Sequence, residues 1–304
     1  MRLPPFRLHR PETIEQASEL LAELGDSAVL YCGGTELLLV AKLGLTDFTD
    51  LVDVKRIEEL AGIDADGELR IGATTTHRQI EHSAVVRERW PSLAAMERNV
   101  ANLRVRNVGT IGGNLCFADP HSDPATYLIA ADGSLTLRRG GAEPRRIPAE
   151  ELTRGPYMTA LEPEELLVSV HVPAPAAGEA LVHRKLAFHE RPAITVAARV
   201  TVRDGALTKV RLAVGSIGAA AQRLGDAEQI ATGADALAPE PQQIEAVAAA
   251  AAREAGPTAD ANGSVEYKRQ LVRVLTERCV REALTRAMGD VAVGASDGRA
   301  SRRS

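Results

Sequence analysis

The pattern of apolar and polar positions predicts alternating helices and strands at the start of this chain. Residues 12–25 carry apolar side chains at helical spacing, and Gly25 ends the segment. Strand-like runs at 27–32 and 49–54 flank a helical segment at about 36–43. We therefore expect a small β-α-β unit with parallel strands.

The next part of the chain has a different pattern, with strands more widely separated. Its predicted strands are residues 69–73, 135–139, 145–147 and 165–172, which favour a mixed or antiparallel sheet. Its predicted helices are residues 77–82, 92–104 and 123–131.

The C-terminal part is predicted to be a separate domain, because residues 173–178 form a linker rich in proline and alanine. Strands at 181–186, 193–202 and 207–217 predict a three-stranded antiparallel sheet, and helices at 226–232, 241–254 and 265–288 follow. The class is therefore α+β. We predict a domain at 1–175, with subdomains at about 1–60 and 61–175, a second at 179–288, and a disordered tail at 289–304.

Composition and charge exclude several classes of function. A net charge of −5 argues against nucleic acid as the main partner. No apolar run is long enough for a membrane span, and no secretory signal is visible at the N-terminus. Three widely spaced cysteines fit a reducing compartment, so we expect a cytoplasmic protein.

Two glycine motifs are the strongest candidates for binding chemistry. Ser27–Leu39 is predicted to be a strand, a double-glycine turn and a helix start, and Val108–Leu115 has a similar pattern. Such junctions bring backbone N–H groups close to a phosphate. Neither motif matches a Walker A loop or the Gly-x-Gly-x-x-Gly fingerprint, so tight turns without a ligand remain the alternative.

The remaining chemistry does not define a catalytic or metal site. Residues 116–123 gather four side chains that could bind a metal, but no second ligand pair accompanies them. No nucleophile elbow occurs, and neither Cys32 nor Cys116 has an adjacent base. We therefore assign no catalytic residue and no metal ligand to this chain.

The segments Cys32–Leu37 and Thr110–Leu115, with Asp123 nine residues after Asn114, resemble the FAD-binding medium subunits of molybdenum hydroxylases. This family includes the flavoproteins of carbon monoxide dehydrogenase and xanthine dehydrogenase, and the resemblance covers about residues 2–288. It implies a PCMH-type FAD-binding fold followed by a domain like the C-terminal domain of the carbon monoxide dehydrogenase flavoprotein.

The resemblance also implies which residues contact FAD. Cys116 falls where the family places a small or apolar residue, so we interpret it as a wall residue. The implied contacts are Leu30, Tyr31, Cys32, Gly33, Gly34, Thr35, Glu36, Leu37, Thr110, Ile111, Gly112, Gly113, Asn114, Asp123, Leu167 and Lys185.

By the same resemblance the chain is an electron-transfer subunit. A large molybdopterin-binding subunit and a small 2Fe-2S subunit would be its partners, in a dimer of heterotrimers. Electrons would pass through FAD to NAD, a quinone, oxygen or another acceptor. Thr35-Glu36 replaces the His-Ser common in carbon monoxide dehydrogenases, which leaves the substrate open. The alternatives are a self-contained FAD-dependent oxidase and a nucleotide-binding protein without enzymatic activity.

Overall fold

The chain divides into two compact units. The computed structural model describes residues 3–188, 191–204, 206–232 and 241–300, without the side chains of 232, 241 and 290–300. The first unit comprises Met1–Asp119 and Asp132–Pro173, and the second comprises Pro120–Ala131 and Ala174–Ser304. The domain limits inferred from the sequence, 1–175 and 179–288, stay a prediction.

A small parallel sheet opens the first unit. Its strands are β1 (Arg7–His9), β2 (Ala28–Tyr31) and β3 (Asp50–Asp53), in the order β1-β3-β2. Helix α1 (Ile14–Leu24) connects β1 to β2, and helix α2 (Leu37–Lys42) connects β2 to β3. The structure thus contains the predicted β-α-β unit and one further strand, β1.

Strand β1 is held partly by polar contacts, which explains why its apolar pattern is weak. The carboxylate of Asp50 is buried and accepts hydrogen bonds from Arg7 at 2.8 Å and Thr49 at 2.7 Å. His9 Nε2 also lies 2.7 Å from this carboxylate. The hydrogen bonds from Arg7 and His9 hold the pKa of Asp50 well below its usual range.

The second sheet of this unit is antiparallel at each of its strand pairs. Its strands run in the order β4-β5-β10-β6-β7. Strands β8 and β9 pair separately. The bounds are β4 (Ile63–Asp64), β5 (Leu69–Gly72), β6 (Ser134–Arg139), β7 (Arg145–Pro148), β8 (Thr153–Gly155), β9 (Met158–Thr159) and β10 (Glu165–Val172).

Five short helices lie between β5 and Asp119. The single helix predicted at 92–104 is wrong. The first helix ends at Arg98, Ala101 then adopts a positive φ of 40°, and Asn102 caps a new helix. The helices are α3 (His77–His82), α4 (Ala84–Arg89), α5 (Pro91–Arg98), α6 (Leu103–Val108) and α7 (Ile111–Phe117).

The second unit contains a four-stranded antiparallel sheet in the order β11-β12-β13-β14. The predicted three-stranded sheet is therefore wrong, because the two-residue strand β14 adds to its edge. The bounds are α8 (Asp123–Ala130), β11 (Glu179–Ala187), β12 (Pro192–Arg203), β13 (Ala206–Gly215), β14 (Gln222–Arg223), α9 (Gly225–Thr232), α10 (Pro241–Glu254) and α11 (Val265–Ala300). Helix α11 continues to Ala300 through most of the tail predicted at 289–304, and residues 301–304 lie outside the described residues. The predicted disorder of this tail stays a prediction.

One apolar cluster connects the two sheets of the first unit. Ile14 of α1, Val52 of β3 and Leu166 of β10 belong to it, each at most 2% exposed. These contacts fix the small parallel sheet against the central strand of the antiparallel sheet. Strand β2 and its following turn are thereby held opposite β10.

We expect Ile14→Ala to lower the free energy of unfolding by about 2–5 kcal/mol, because it removes buried methyl groups from a site that cannot fully collapse. Denaturant titration of the full chain would measure this change. Glu19→Ala, on the exposed face of the same helix, serves as the control and should change stability by less than about 0.5 kcal/mol. Equal effects of the two substitutions would contradict the assigned role of α1.

Candidate functional site

The first unit contains a cavity of about 420 Å³ lined mostly by apolar side chains. Its volume lies in the usual range for cofactor sites. The turn after β2, the start of α7 and strand β10 each contribute to its wall. The sequence-predicted residues that line it are Leu30, Tyr31, Cys32, Gly33, Gly34, Thr35, Glu36, Leu37, Thr110, Gly112, Gly113, Asn114 and Leu167.

The turn after β2 presents open backbone donors. Gly34 has φ of 69°, a conformation that favours glycine, and a Cβ there would lie 2.4 Å from the Tyr31 ring. Within the described part of the chain, the N–H groups of Gly34 and Thr35 donate to no acceptor. Unpaired backbone donors in a cavity wall are suited to bind an anion.

The second glycine motif is built differently, because it forms the first turn of α7. The N–H of Ile111 donates to Thr75 O at 3.0 Å, and that of Gly112 donates to Ala73 O at 2.9 Å. The N–H of Gly113 donates to Thr110 Oγ1 at 3.1 Å. These donors are thus used within the protein, contrary to the expectation of unpaired N–H groups in both motifs.

The two motifs meet through backbone atoms. A Cβ on Gly33 would lie 2.3 Å from Val108 O and 2.8 Å from the Cα of Gly109. A Cβ on Gly112 would lie 2.6 Å from both the O and the Cβ of Ala73. Glycine is therefore required at both positions for close packing.

Two thiols in the cavity wall are inert at neutral pH. Burial raises the pKa of Cys116 to about 12 and also raises the pKa of Cys32. Because the thiolate is the reactive form, neither side chain is an activated nucleophile. This chemistry agrees with the interpretation of Cys116 as a wall residue.

A buried His–Glu pair borders the cavity and was missed by sequence analysis. His77 lines the cavity, and its Nδ1 lies 2.6 Å from Oε2 of Glu97. Their side chains are only 2% and 0% exposed. The sequence signal was the helix start at Thr76, whose side chain forms a capping box with Gln79, but no local feature indicated the contact with Glu97.

Three predicted site residues are not part of the described cavity wall. Ile111 is fully buried in the core. Asp123 and Lys185 belong to the second unit, where Lys185 Nζ donates to Asp123 Oδ2 at 2.8 Å. The other oxygen of Asp123 lies 3.7 Å from Nε2 of His183, and neither atom has a hydrogen-bond partner in the described part of the chain. Burial lowers the pKa of His183.

No group of three or more His, Cys, Asp or Glu side chains among the described residues could hold a metal ion. No described helix is both long and apolar enough to cross a membrane.

The fold and the cavity define a two-unit α+β protein with open backbone donors in the wall of a largely apolar pocket, as expected of a dinucleotide cofactor site. Residues 4–175 match the family described as the FAD binding domain in molybdopterin dehydrogenase. Residues 187–283 match the carbon monoxide dehydrogenase flavoprotein C-terminal domain. The chain belongs to this family of FAD-binding subunits.

The sequence similarity to related proteins covers nearly the whole chain. The nicotine 6-hydroxylase medium subunit of Paenarthrobacter nicotinovorans is 31% identical over 93% of this chain and 99% of that subunit. The carbon monoxide dehydrogenase medium chain of Hydrogenophaga pseudoflava is 33% identical over 93% of this chain and 98% of that one. A solved structure of the Hydrogenophaga enzyme that lacks the Mo-pyranopterin moiety matches with a TM-score of 0.89 and 32% identity. That match covers 94% of this chain and 99% of the other.

The residues of the cavity fit the cofactor that the family binds. FAD has a pyrophosphate and an apolar ring system. The open N–H groups of Gly34 and Thr35 are suited to the pyrophosphate, and the apolar wall, which includes Leu167, is suited to the ring. The family assignment identifies FAD, and the local chemistry of the cavity fits it.

Substitution of the two adjacent glycines of α7 should separate cofactor binding from folding. Gly113 lines the cavity, and a Cβ there would lie 2.9 Å from Thr110 Oγ1 with no other contact within 4 Å, so the Thr110 side chain must shift but no backbone blocks a valine. We expect Gly113→Val to lose most of its FAD with a small decrease in Tm. Flavin absorbance and thermal unfolding of the purified full chain would measure both effects.

The neighbouring substitution is the contrast. Gly112→Val should lower Tm strongly or prevent folding, because its side chain meets the backbone of Ala73. A Gly113→Val protein that retains a full complement of FAD would show that α7 is not part of the cofactor site.

Proposed function

We propose that this chain is the FAD-binding electron-transfer subunit of a heterotrimeric molybdenum hydroxylase. One observation carries the proposal: the open N–H groups of Gly34 and Thr35 lie in the wall of a largely apolar cavity. The family match and the similarity to medium subunits over nearly their full length support it. When bound, FAD supplies the capacity to accept and donate electrons.

The proposed roles of the residues follow from their chemistry. The turn Gly33–Glu36 binds the pyrophosphate through backbone donors, and the start of α7 forms a close wall without a side chain at Gly113. Leu30 and Leu167 exclude water from the flavin ring. Asp123 and Lys185 contact the cofactor, a role supported by the unused acceptor on Asp123.

The partners in this proposal are a large molybdopterin-binding subunit and a small 2Fe-2S subunit, assembled as a dimer of heterotrimers in the cytoplasm. Support for a multi-subunit assembly comes from the relatives, which are named as medium chains or medium subunits. Electrons would arrive from the clusters of the small subunit and leave to NAD, a quinone, oxygen or another acceptor. The substrate would bind to the large subunit and not to this chain.

Purification of the tagged chain from its native cells tests this proposal. We expect about one FAD and one molybdenum per chain and about four irons, as two 2Fe-2S clusters require. Substrate added to the complex should bleach the flavin absorbance, because electrons reach FAD through the partners.

The control is the full chain expressed alone and loaded with FAD, which should bind flavin but oxidise no substrate. Oxidation of a substrate by the isolated chain would identify a self-contained oxidase. A chain that never binds flavin would instead favour a nucleotide-binding protein without redox activity.

A further inference from the structure

The cavity wall contains little positive charge for a cofactor that carries two phosphates. Among the described residues that line it, none is Lys or Arg, and His77 is the one side chain that can become a cation. The nearby Lys55 is not in the wall. Its ammonium group lies 2.9 Å from Asp53, 3.2 Å from Cys32 O and 4.0 Å from the centre of the Tyr31 ring.

His77 lies where the two glycine motifs meet. It is the first residue of α3, and its N–H donates to Gly109 O at 3.0 Å. A Cβ built on Gly109 would lie 3.5 Å from Cδ2 of His77 and 3.4 Å from Oγ1 of Thr35. The imidazole ring thus borders the same glycine as the turn that has open backbone donors.

The contact with Glu97 determines what each ring nitrogen can do. An ionised carboxylate only accepts hydrogen bonds, so Nδ1, at 2.6 Å, must carry a proton. In the neutral ring Nε2 would then be an acceptor, whereas in the cation it is a donor. Nε2 makes no hydrogen bond to any described residue, so no protein contact decides whether it acts as a donor or an acceptor.

Electrostatics favours the cation when an anion binds. Glu97 is fully buried, and its Oε1 has no hydrogen-bond partner in the described part of the chain. With a neutral ring, this buried negative charge would repel a pyrophosphate in the cavity. With a proton on Nε2, the positive charge of the ring balances the negative charge of Glu97, and Nε2–H is a charge-assisted donor.

Other charged groups near α3 are engaged elsewhere or exposed. Glu81 bonds to Arg78 at 3.1 Å and to Arg106 of α6 at 3.3 Å, and Arg87 of α4 lies 2.7 Å from His82. Among described side chains, Glu97 is the one bonded to the ring. The remaining charged groups on these helices are exposed: Glu88, Arg89, Arg98 and Arg104. Glu36 and the Asp53–Lys55 pair lie on the side of the first glycine motif.

We propose that His77, held by Glu97 through Nδ1, donates from Nε2 to the FAD pyrophosphate. This inference rests on the proposed function, because it names a ligand of the same site. It adds a specificity-determining residue that distinguishes FAD from flavins without phosphate.

Calorimetric titration of the flavin-free full chain with FAD and with riboflavin tests the inference. His77→Gln should raise the Kd for FAD about 10- to 100-fold, the effect of losing a charge-assisted hydrogen bond. Its Kd for riboflavin should not change.

Two further variants serve as controls. Arg78→Gln removes a cation from the next position of α3 and should keep FAD affinity within about threefold of wild type, as a surface charge predicts. If Lys55→Gln, and not His77→Gln, weakens FAD binding, Lys55 supplies the charge and the inference is wrong. Equal losses for FAD and riboflavin in His77→Gln would also overturn it, since they would indicate a structural role.

If His77→Gln does not fold, the double variant His77→Gln/Glu97→Gln removes both buried charges. This variant should fold, bind riboflavin normally and bind FAD weakly. Normal FAD affinity would overturn the inference while leaving the proposed function intact. Failure of the wild-type chain to bind FAD at all would instead overturn both.

Discussion

The site depends on the contact between Gly33 and the backbone of Val108 and Gly109. No side chain fits there, since a Cβ on Gly33 would lie 2.3 Å from Val108 O. This contact places the turn that follows β2 directly against the segment that leads into α7. Because interiors are close-packed and resist local deformation, the two glycine motifs form one rigid wall. The open donors of Gly34 and Thr35 are therefore held in place before any ligand arrives, which lowers the cost of ordering on binding.

The two motifs share a sequence pattern but have different physical roles. In the first, glycine permits a positive φ and leaves amide donors without acceptors. In the second, the amides of Ile111 and Gly112 donate hydrogen bonds to the segment after β5, which anchors α7 to the five-stranded antiparallel sheet. The first motif can thus bind an anion, whereas the second provides a close, rigid surface. Pattern alone could not distinguish these roles, because hydrogen-bond partners of an amide are set by tertiary structure.

Local periodicity predicted the long elements well, since α1 and β10 each carry a continuous apolar pattern. It missed the strands β1, β4, β8, β9 and β14, each of only two or three residues, and β1 is held by tertiary contacts such as that of Arg7 with Asp50. It also missed the break between α5 and α6, where Ala101 has φ of 40°, although Asn102 is a residue type favoured at helix N-caps. In the site, the glycine residues were predictable because their spacing is specific. His77 and Glu97 were not, because they lie on different helices and meet only after α3 and α5 pack together.

The charge balance of the cavity follows from burial. Burial raises the pKa values of Cys32 and Cys116, so both thiols stay neutral and the wall beside them remains apolar. The described wall residues include no Lys or Arg, so the open backbone donors and the imidazole of His77 are the groups of this wall that can face a pyrophosphate. In the proposed binding mode, the open donors of Gly34 and Thr35 hold the pyrophosphate at one end of the cavity, and the apolar wall at the other end excludes water from the flavin ring.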